Sequence, residues 1–248
     1  MRYIVSIPVQ LFVTCIVDAL YPETGEAVVR VLQRAGCLVD FPEGQTCCGQ
    51  PAFNAGMRPE ARRMAENTIQ VFEKTTGDII IPSGSCAGMV KHGYKELFAD
   101  DLVWLQRAQS LGARTHEFTE YLVDKLGIES LGAKNSDKIT YHSSCHLLRD
   151  LGIDRQPLQL LDKIQGAEIL PLPKREECCG FGGLFSIEHP EISKAMLERK
   201  IENFSASGAS VMVSCDAGCI AHISGGLQRK KIPLKVVHIA EILDQHIS

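Results

Sequence analysis

Two adjacent-cysteine pairs, each followed by glycine, concentrate the reactive chemistry of this chain: Cys47-Cys48-Gly49 and Cys178-Cys179-Gly180. A lone cysteine precedes each pair, in the spacings Cys15-x31-Cys47 and Cys145-x32-Cys178. Another follows each, as Cys48-x37-Cys86 and Cys179-x39-Cys219. Eight of the ten cysteines therefore form one pattern used twice, at a nearly constant offset. Four thiolates gathered from three separated loops are the usual ligand set of an iron–sulfur cluster. Four thiolates also suit tetrahedral zinc, but zinc sites usually arrive as two short Cys-x2–4-Cys knuckles, and no knuckle is shared by both halves. Disulfide staples have no reason to recur in a CCG context, and a chain of 248 residues folds without them. The pattern predicts two cysteine-ligated metal centres, iron–sulfur clusters with one per half or zinc as the alternative, and a redox role with the first.

Neighbouring side chains on an extended chain point to opposite sides. Two adjacent cysteines serve one centre only where the backbone turns sharply, and Gly49 and Gly180 supply that turn. Backbone N–H groups in such turns can donate to sulfur. Cys215 is a further candidate ligand of the second centre. Aligning Gly208 on Gly77 leaves Cys86 midway between the positions of Cys215 and Cys219. The context Gly218-Cys219-Ile220, leading into a helix as Ser85-Cys86-Ala87 does, favours Cys219. Cys37 has no counterpart and reads as a buried apolar position. His142, His146 and Arg149 crowd around Cys145. As catalytic candidates they offer a base and a guanidinium that could hold an anionic group. As neighbours of a ligating cysteine, the histidines hydrogen-bond a cluster sulfur and Arg149 lies on a helix surface. Gly180-x-Gly182-Gly183 imitates a nucleotide-binding turn but follows no strand and lacks the later acidic partner.

Elements must deliver these thiols to common points. Short apolar runs at Arg2–Ile7, Leu38–Phe41 and Asp78–Pro82 read as strands, with counterparts at Lys138–Tyr141, Glu168–Leu170 and Ser210–Ser214 and a last strand at Leu234–Val237. Helices are expected over Glu23–Ala35, Cys86–Phe98, Pro157–Gln165, Ile220–Leu227 and Ala240–His246. Each half also has a helix of some 17 residues between its CCG and its last cysteine, started by Pro59-Glu60 or Pro190-Glu191 and closed before Gly77 or Gly208. In the first of these, Ala61, Met64, Ala65, Ile69 and Phe72 share a face. The fold class is α/β: two pseudo-repeated halves, 1–132 and 133–248, each a parallel sheet with helices on both faces and cysteines at the strand carboxyl ends. Residues 100–137 read as the connection, with a helix around Glu117–Leu126.

Bulk properties narrow the partners. Net charge is −4 and the basic residues are scattered, which argues against nucleic acid. The apolar run Tyr3–Val17 is interrupted by Pro8 and Gln10 and closed by Asp18. It is shorter than the ~20 residues that span a bilayer and precedes no small-x-small cleavage site. It reads as a first strand leading to the Cys15 loop, so no membrane span and a cytoplasmic, thiol-preserving location are expected.

The spacing Cys–x31–Cys-Cys-Gly–x36–Cys, repeated with x32 and x38, resembles the duplicated cysteine-rich CCG domain. That domain occurs in the CCG subunit of heterodisulfide reductase, the glycolate oxidase iron–sulfur subunit and the lactate utilization protein A family. Thr46–Gly56 (TCCGQPAFNAG), Pro82–Met89 (PSGSCAGM), Thr140–Gly152 (TYHSSCHLLRDLG), Cys178–Ser186 (CCGFGGLFS) and Val237–Leu243 (VHIAEIL) resemble the last of these most. The resemblance implies a cytoplasmic subunit of a complex oxidising L-lactate to pyruvate, active with a ferredoxin-like iron–sulfur subunit and a third small subunit. It makes Cys15, Cys47, Cys48, Cys86, Cys145, Cys178, Cys179 and Cys219 the cluster residues. One departure stands out. The reductase pattern ends each half in Cys-x-x-Cys, giving five thiols, whereas the final positions here are Met89 and His222. Against that pattern Met89 offers only a poor thioether ligand and His222 is a candidate extra ligand. A four-thiol electron-transfer centre survives that change, and five-thiol disulfide chemistry does not, unless Cys215 fills the gap. The alternatives are a CCG subunit of a glycolate-oxidising or disulfide-reducing system, and a non-catalytic protein with structural zinc.

Overall fold

The computed structural model describes residues 6–245. The chain divides into two compact units, Met1–Ile128 and Glu129–Ser248. In the first, strands β1 (Ile7–Leu11), β2 (Cys37–Asp40), β3 (Asp78–Ile81) and β4 (Thr115–Glu117) form a parallel sheet in the order β2-β1-β3-β4. In the second, β5 (Lys138–His142), β6 (Glu168–Leu170), β7 (Val211–Ser214) and β8 (Lys235–His238) form one in the order β6-β5-β7-β8, also parallel. The two topologies are the same. Parallel strands need crossover helices, and these cover the faces, so the central strands read as continuous apolar runs. Ile79, Ile80 and Ile81 of β3 are buried, as is all of β7.

Helix faces follow the sequence period. Helix Pro22–Arg34 buries Ala27, Val28, Val31 and Leu32. Helix Arg58–Phe72 buries Ala61, Ala65, Ile69 and Phe72, with Met64 half-buried, and its Pro59 sits in the first turn, where no N–H partner is needed. Phe72 meets Phe12 with ring centroids 5.3 Å apart. Each such side chain contributes ~1.5–3 kcal/mol when fully buried. In the second unit, helix Pro190–Ala206 packs Ile201 and Phe204 against Met212, Ile223 and Leu227. Among the described residues no helix is long and apolar enough to cross a membrane.

Three expectations change. The first strand extends to Leu11, past the expected end at Ile7, and most of the expected Arg2–Ile7 lies outside the described residues. Pro8 is tolerated inside it because pairing with β3 begins only at Val9. The segment expected to connect the halves instead completes the first sheet: helix Leu102–Ala113 leads into β4, and the helix expected around Glu117–Leu126 follows it as Phe118–Glu120 and the π-helical turn Tyr121–Lys125, capped by Glu117. The helix expected over Cys86–Phe98 starts earlier, at Gly84, and widens into a π-helical turn, Met89–Gly93, before Tyr94–Leu97. The remaining expected elements shift by a few residues at their ends; His246 of the last helix lies outside the described residues.

Candidate metal centres

Every thiol of the repeated pattern sits where a strand hands over to a helix or in the CCG turn. Cys15 opens helix Cys15–Leu20 just after β1, and Cys86 lies in the first turn of Gly84–Gly88 after β3. Cys145 precedes the helical turn His146–Asp150 after β5, and Cys219 lies in the first turn of Ala217–Arg229 after β7. Parallel strands thus deliver two thiols per unit to the carboxyl edge of the sheet. The unpaired N–H groups of a first turn favour negative charge there.

The CCG turns bring the other two. Gly49 and Gly180 have φ of 86° and 91°, a region costly for any residue with a Cβ. At Gly180 a Cβ would come within 2.7 Å of the Ser193 carbonyl oxygen; at Gly49 it would meet the Ala61 carbonyl at 3.2 Å. Each glycine's N–H points at the sulfur two residues back, Gly49 to Cys47 Sγ at 3.5 Å and Gly180 to Cys178 Sγ at 3.4 Å. Polar side chains lash the turns to their surroundings. Gln45 donates to Leu11 O at 2.8 Å, Gln50 to Ser85 O at 3.1 Å, the buried Tyr94 hydroxyl to Cys48 O at 3.0 Å, and Ser193 to Gly180 O at 2.8 Å.

The result is two convergent thiol sets. Cys48 and Cys86 stand 3.4 Å apart, Cys179 and Cys219 3.3 Å, and Cys145 and Cys178 4.0 Å, sulfur to sulfur. Cys15 hydrogen-bonds Cys47, and all ten cysteines are free thiols. In both sets the first CCG cysteine is the one whose pKa is lowered. Hydrogen bonds from Cys15 and Cys48 pull the pKa of Cys47 down to about 3, and those from Cys145 and Cys179 pull that of Cys178 down to about 2. The donors move the other way: Cys15, Cys48, Cys145 and Cys179 are raised, chiefly by those same hydrogen bonds. Four thiolates so close cannot ionise together without a cation among them. A metal that displaces the shared protons satisfies the set. The donor set therefore fits a thiolate-bound metal or iron–sulfur centre.

The units differ around their thiols. Overlaying β1 on β5 through Cys15 and Cys145 sets Val9 on Ile139, and the strand register then sets Asp78 of β3 on Val211 of β7. Continued along the chain, that register puts Cys219, not Cys215, opposite Cys86. Cys215 is fully buried with the Tyr141 hydroxyl 3.9 Å from its sulfur. His222 packs beside Phe181, its Nε2 3.3 Å from Ser193 Oγ, and burial lowers its pKa. Met89 is buried with its sulfur against Gly93, and Cys37 is buried in β2 beside the Tyr121 hydroxyl. His142, His146 and Arg149 part company. His142 is fully buried with Cys179 and Cys219, and desolvation, reinforced by Lys200, lowers its pKa to about 3. His146 is half-exposed, Nδ1 3.6 Å from Cys145 Sγ and Nε2 3.8 Å from Asp150. Arg149 is exposed and donates to Glu176 O at 3.1 Å.

Lys200 was not among the candidates. It is fully buried, donating to the carbonyls of Lys174 and Arg175 at 3.2 and 3.4 Å. Desolvation lowers its pKa, and the charges of Cys179, Cys219 and Cys178 oppose that shift. Its position corresponds to Ile69, so the repeat itself carried a signal: a lysine at an apolar helix position of the other half.

Two parallel sheets of one topology, each gathering a CCG pair and two lone cysteines, define a duplicated cysteine-rich domain protein. The family model described as a CCG cysteine-rich domain matches twice, at residues 9–91 and 139–224. Lactate utilization protein A 2 of Bacillus cereus (strain Q1) is 43% identical over 240 residues, 97% of this chain and 99% of its own length. Lactate utilization protein A of Shouchella clausii (strain KSM-K16) is 45% identical over 236 residues, 95% and 98% of the two lengths. Among solved structures, the aspartate racemase of Picrophilus torridus overlaps 96% of this chain and 91% of its own at 10% identity and a TM-score of 0.40, a level at which neither fold nor activity transfers. The chain belongs to the CCG cysteine-rich domain family and, within it, to the lactate utilization protein A family.

Proposed function

We propose that the chain is the iron–sulfur electron-transfer subunit of a system oxidising L-lactate to pyruvate. Cys15, Cys47, Cys48 and Cys86 hold one centre, and Cys145, Cys178, Cys179 and Cys219 the other. The observation that carries this reading is the convergence of four thiols at the same topological place in both units, in a chain whose relatives are named for lactate utilization. An iron–sulfur cluster supplies one-electron transfer at a potential set by charge, sulfur hydrogen bonds and exposure. The chain's residues set those terms. Cys48, Cys86, Cys179 and Cys219 form a buried inner side, while Cys15 is exposed and Cys47, Cys145 and Cys178 are half-exposed, leaving an outer side for electron exchange with a partner. Gly49 and Gly180 donate to sulfur. A ferredoxin-like subunit and a third small subunit complete the proposed complex in the cytoplasm. The hydroxy acid meets either a partner or His146 and Arg149 beside Cys145.

Deleting the gene tests this reading. Growth on L-lactate should be lost and growth on glycolate retained, and Cys48→Ser should not restore it. Loss of glycolate growth alone would assign the chain to the other hydroxy acid.

A second reading has an observation of its own. A tetrahedral ion with sulfur bonds of ~2.3 Å sets its ligands ~3.8 Å apart, close to the 3.3–4.0 Å separations here. A cluster binds each thiol through a different iron and needs wider spacing. Structural zinc is the reading those separations favour, and metal analysis separates the two.

A further inference from the structure

The second thiol set contains a donor that the first lacks. His142 is the last residue of β5 and is 0% exposed. Neither of its ring nitrogens has a hydrogen-bond partner among the described residues. The Arg175 backbone is its polar neighbour, and that carbonyl already accepts from Lys200 at 3.4 Å. Buried polar atoms in folded proteins are paired, so an orphaned imidazole calls for an explanation.

Its surroundings supply one. A ring nitrogen of His142 and the sulfurs of Cys179 and Cys219 all lie within 4.8 Å of one another, and all three residues are buried. Opposite His142 across the β5–β7 ladder stands Ser214, whose buried hydroxyl also lacks a hydrogen-bond partner among the described residues. A histidine that merely packs a core normally has its nitrogens satisfied. One serving as a base for a diffusing substrate would need access, and His142 has none. At the corresponding place, three residues before Cys15, the first unit has Phe12, which offers no donor. Neutral imidazole is a good ligand for both iron and zinc and commonly shares sites with thiolate.

We propose that His142 is a nitrogen ligand of the second metal centre, making that centre a mixed imidazole–thiolate site while the first is thiolate only. The inner face of the second centre is then His142, Cys179 and Cys219, with Cys145 and Cys178 on its outer side. This rests on the reading that the thiol sets bind metal, but not on which metal they bind.

Cobalt(II) is a probe that serves either metal. The full-length apoprotein is titrated anaerobically with cobalt, and the thiolate-to-cobalt charge-transfer band and the visible d–d bands are followed. Wild type should bind two equivalents with distinct d–d bands, one at the shorter wavelengths of a nitrogen-containing site. His142→Phe, which copies the first unit, should lose that band and weaken one equivalent ~10-fold or more. His142→Cys should restore affinity with an all-thiolate spectrum, and it decides the matter if the phenylalanine variant does not fold. Unchanged bands and affinity in the variant that folds would overturn the proposal. Absence of any charge-transfer band in wild type would instead overturn the metal reading beneath it.

Discussion

His142 and Phe12 hold the same place in their sheets, three residues before Cys145 and Cys15 at the carboxyl ends of β5 and β1. One is an orphaned buried imidazole; the other is an apolar ring packed on Phe72. Lys200 and Ile69 make a second contrast, at equivalent turns of the long helices. The repeat keeps the thiols and differs around them, so the two thiol sets are chemically unequal.

Lys200 should tune the second centre. A buried cation near thiolates stabilises the more negative, reduced state of whatever they hold. Lys200→Ile, the residue of the first half, should lower the reduction potential of one centre by tens of millivolts and leave the other unmoved. A redox titration followed spectroscopically reads this; equal shifts at both centres would refute it.

The CCG glycines should be unequal in cost. Gly180→Ala places a Cβ 2.7 Å from Ser193 O and 2.9 Å from Met196 Cβ at φ of 91°, and should destabilise by about 2–4 kcal/mol. Gly49→Ala has 3.2 Å of clearance at φ of 86° and should cost about 1–2 kcal/mol. Denaturant unfolding of the apoprotein checks the order.

Much of this was legible in the sequence because thiol ligation demands particular residues at particular turns. The doubled CCG, the flanking cysteines and the Pro-started helices each report a local constraint that tertiary context rarely overrides. Strand β4 was missed because Thr115-His116-Glu117 is three residues long and polar, yet fully buried. Its burial is satisfied by tertiary contacts the local pattern does not encode. A signal did exist: Glu117 caps its helix with Glu120, as His238 caps its own with Glu241 at the equivalent place in the second half. The isolation of His142 from Arg149 was not legible, because closeness in sequence does not say which side chain turns inward at a strand end.

Glu117 should make stability pH-dependent. It is fully buried, and desolvation raises its pKa from 4.5 to about 7, against hydrogen bonds from Thr119 and Glu120. The folded state thus holds a proton that the unfolded state releases first. Stability conferred by this group is full below pH ~4.5, falls as pH rises through the window up to ~7, and is then lost, on the order of 3 kcal/mol in all. Glu117→Gln should flatten that slope and raise the unfolding midpoint above pH 7. A steeper slope in the variant would exclude this role.

Single thiols should divide into two classes. Cys48→Ser and Cys179→Ser each remove a buried inner thiol and should roughly halve bound metal. Cys37→Ser should leave the metal content unchanged, because its thiol lies in β2 beside Tyr121. Cys215→Ser should also leave it unchanged, because that sulfur is buried with the Tyr141 hydroxyl 3.9 Å away. Metal per chain, measured on each purified variant, checks this; loss of metal in Cys215→Ser would bring a fifth thiol into the second centre.

The most direct test of the account is iron, acid-labile sulfide and zinc per chain after strictly anaerobic purification. A brown protein with about four irons and matching sulfide per unit is the predicted result. A colourless protein holding stoichiometric zinc and no sulfide would contradict it.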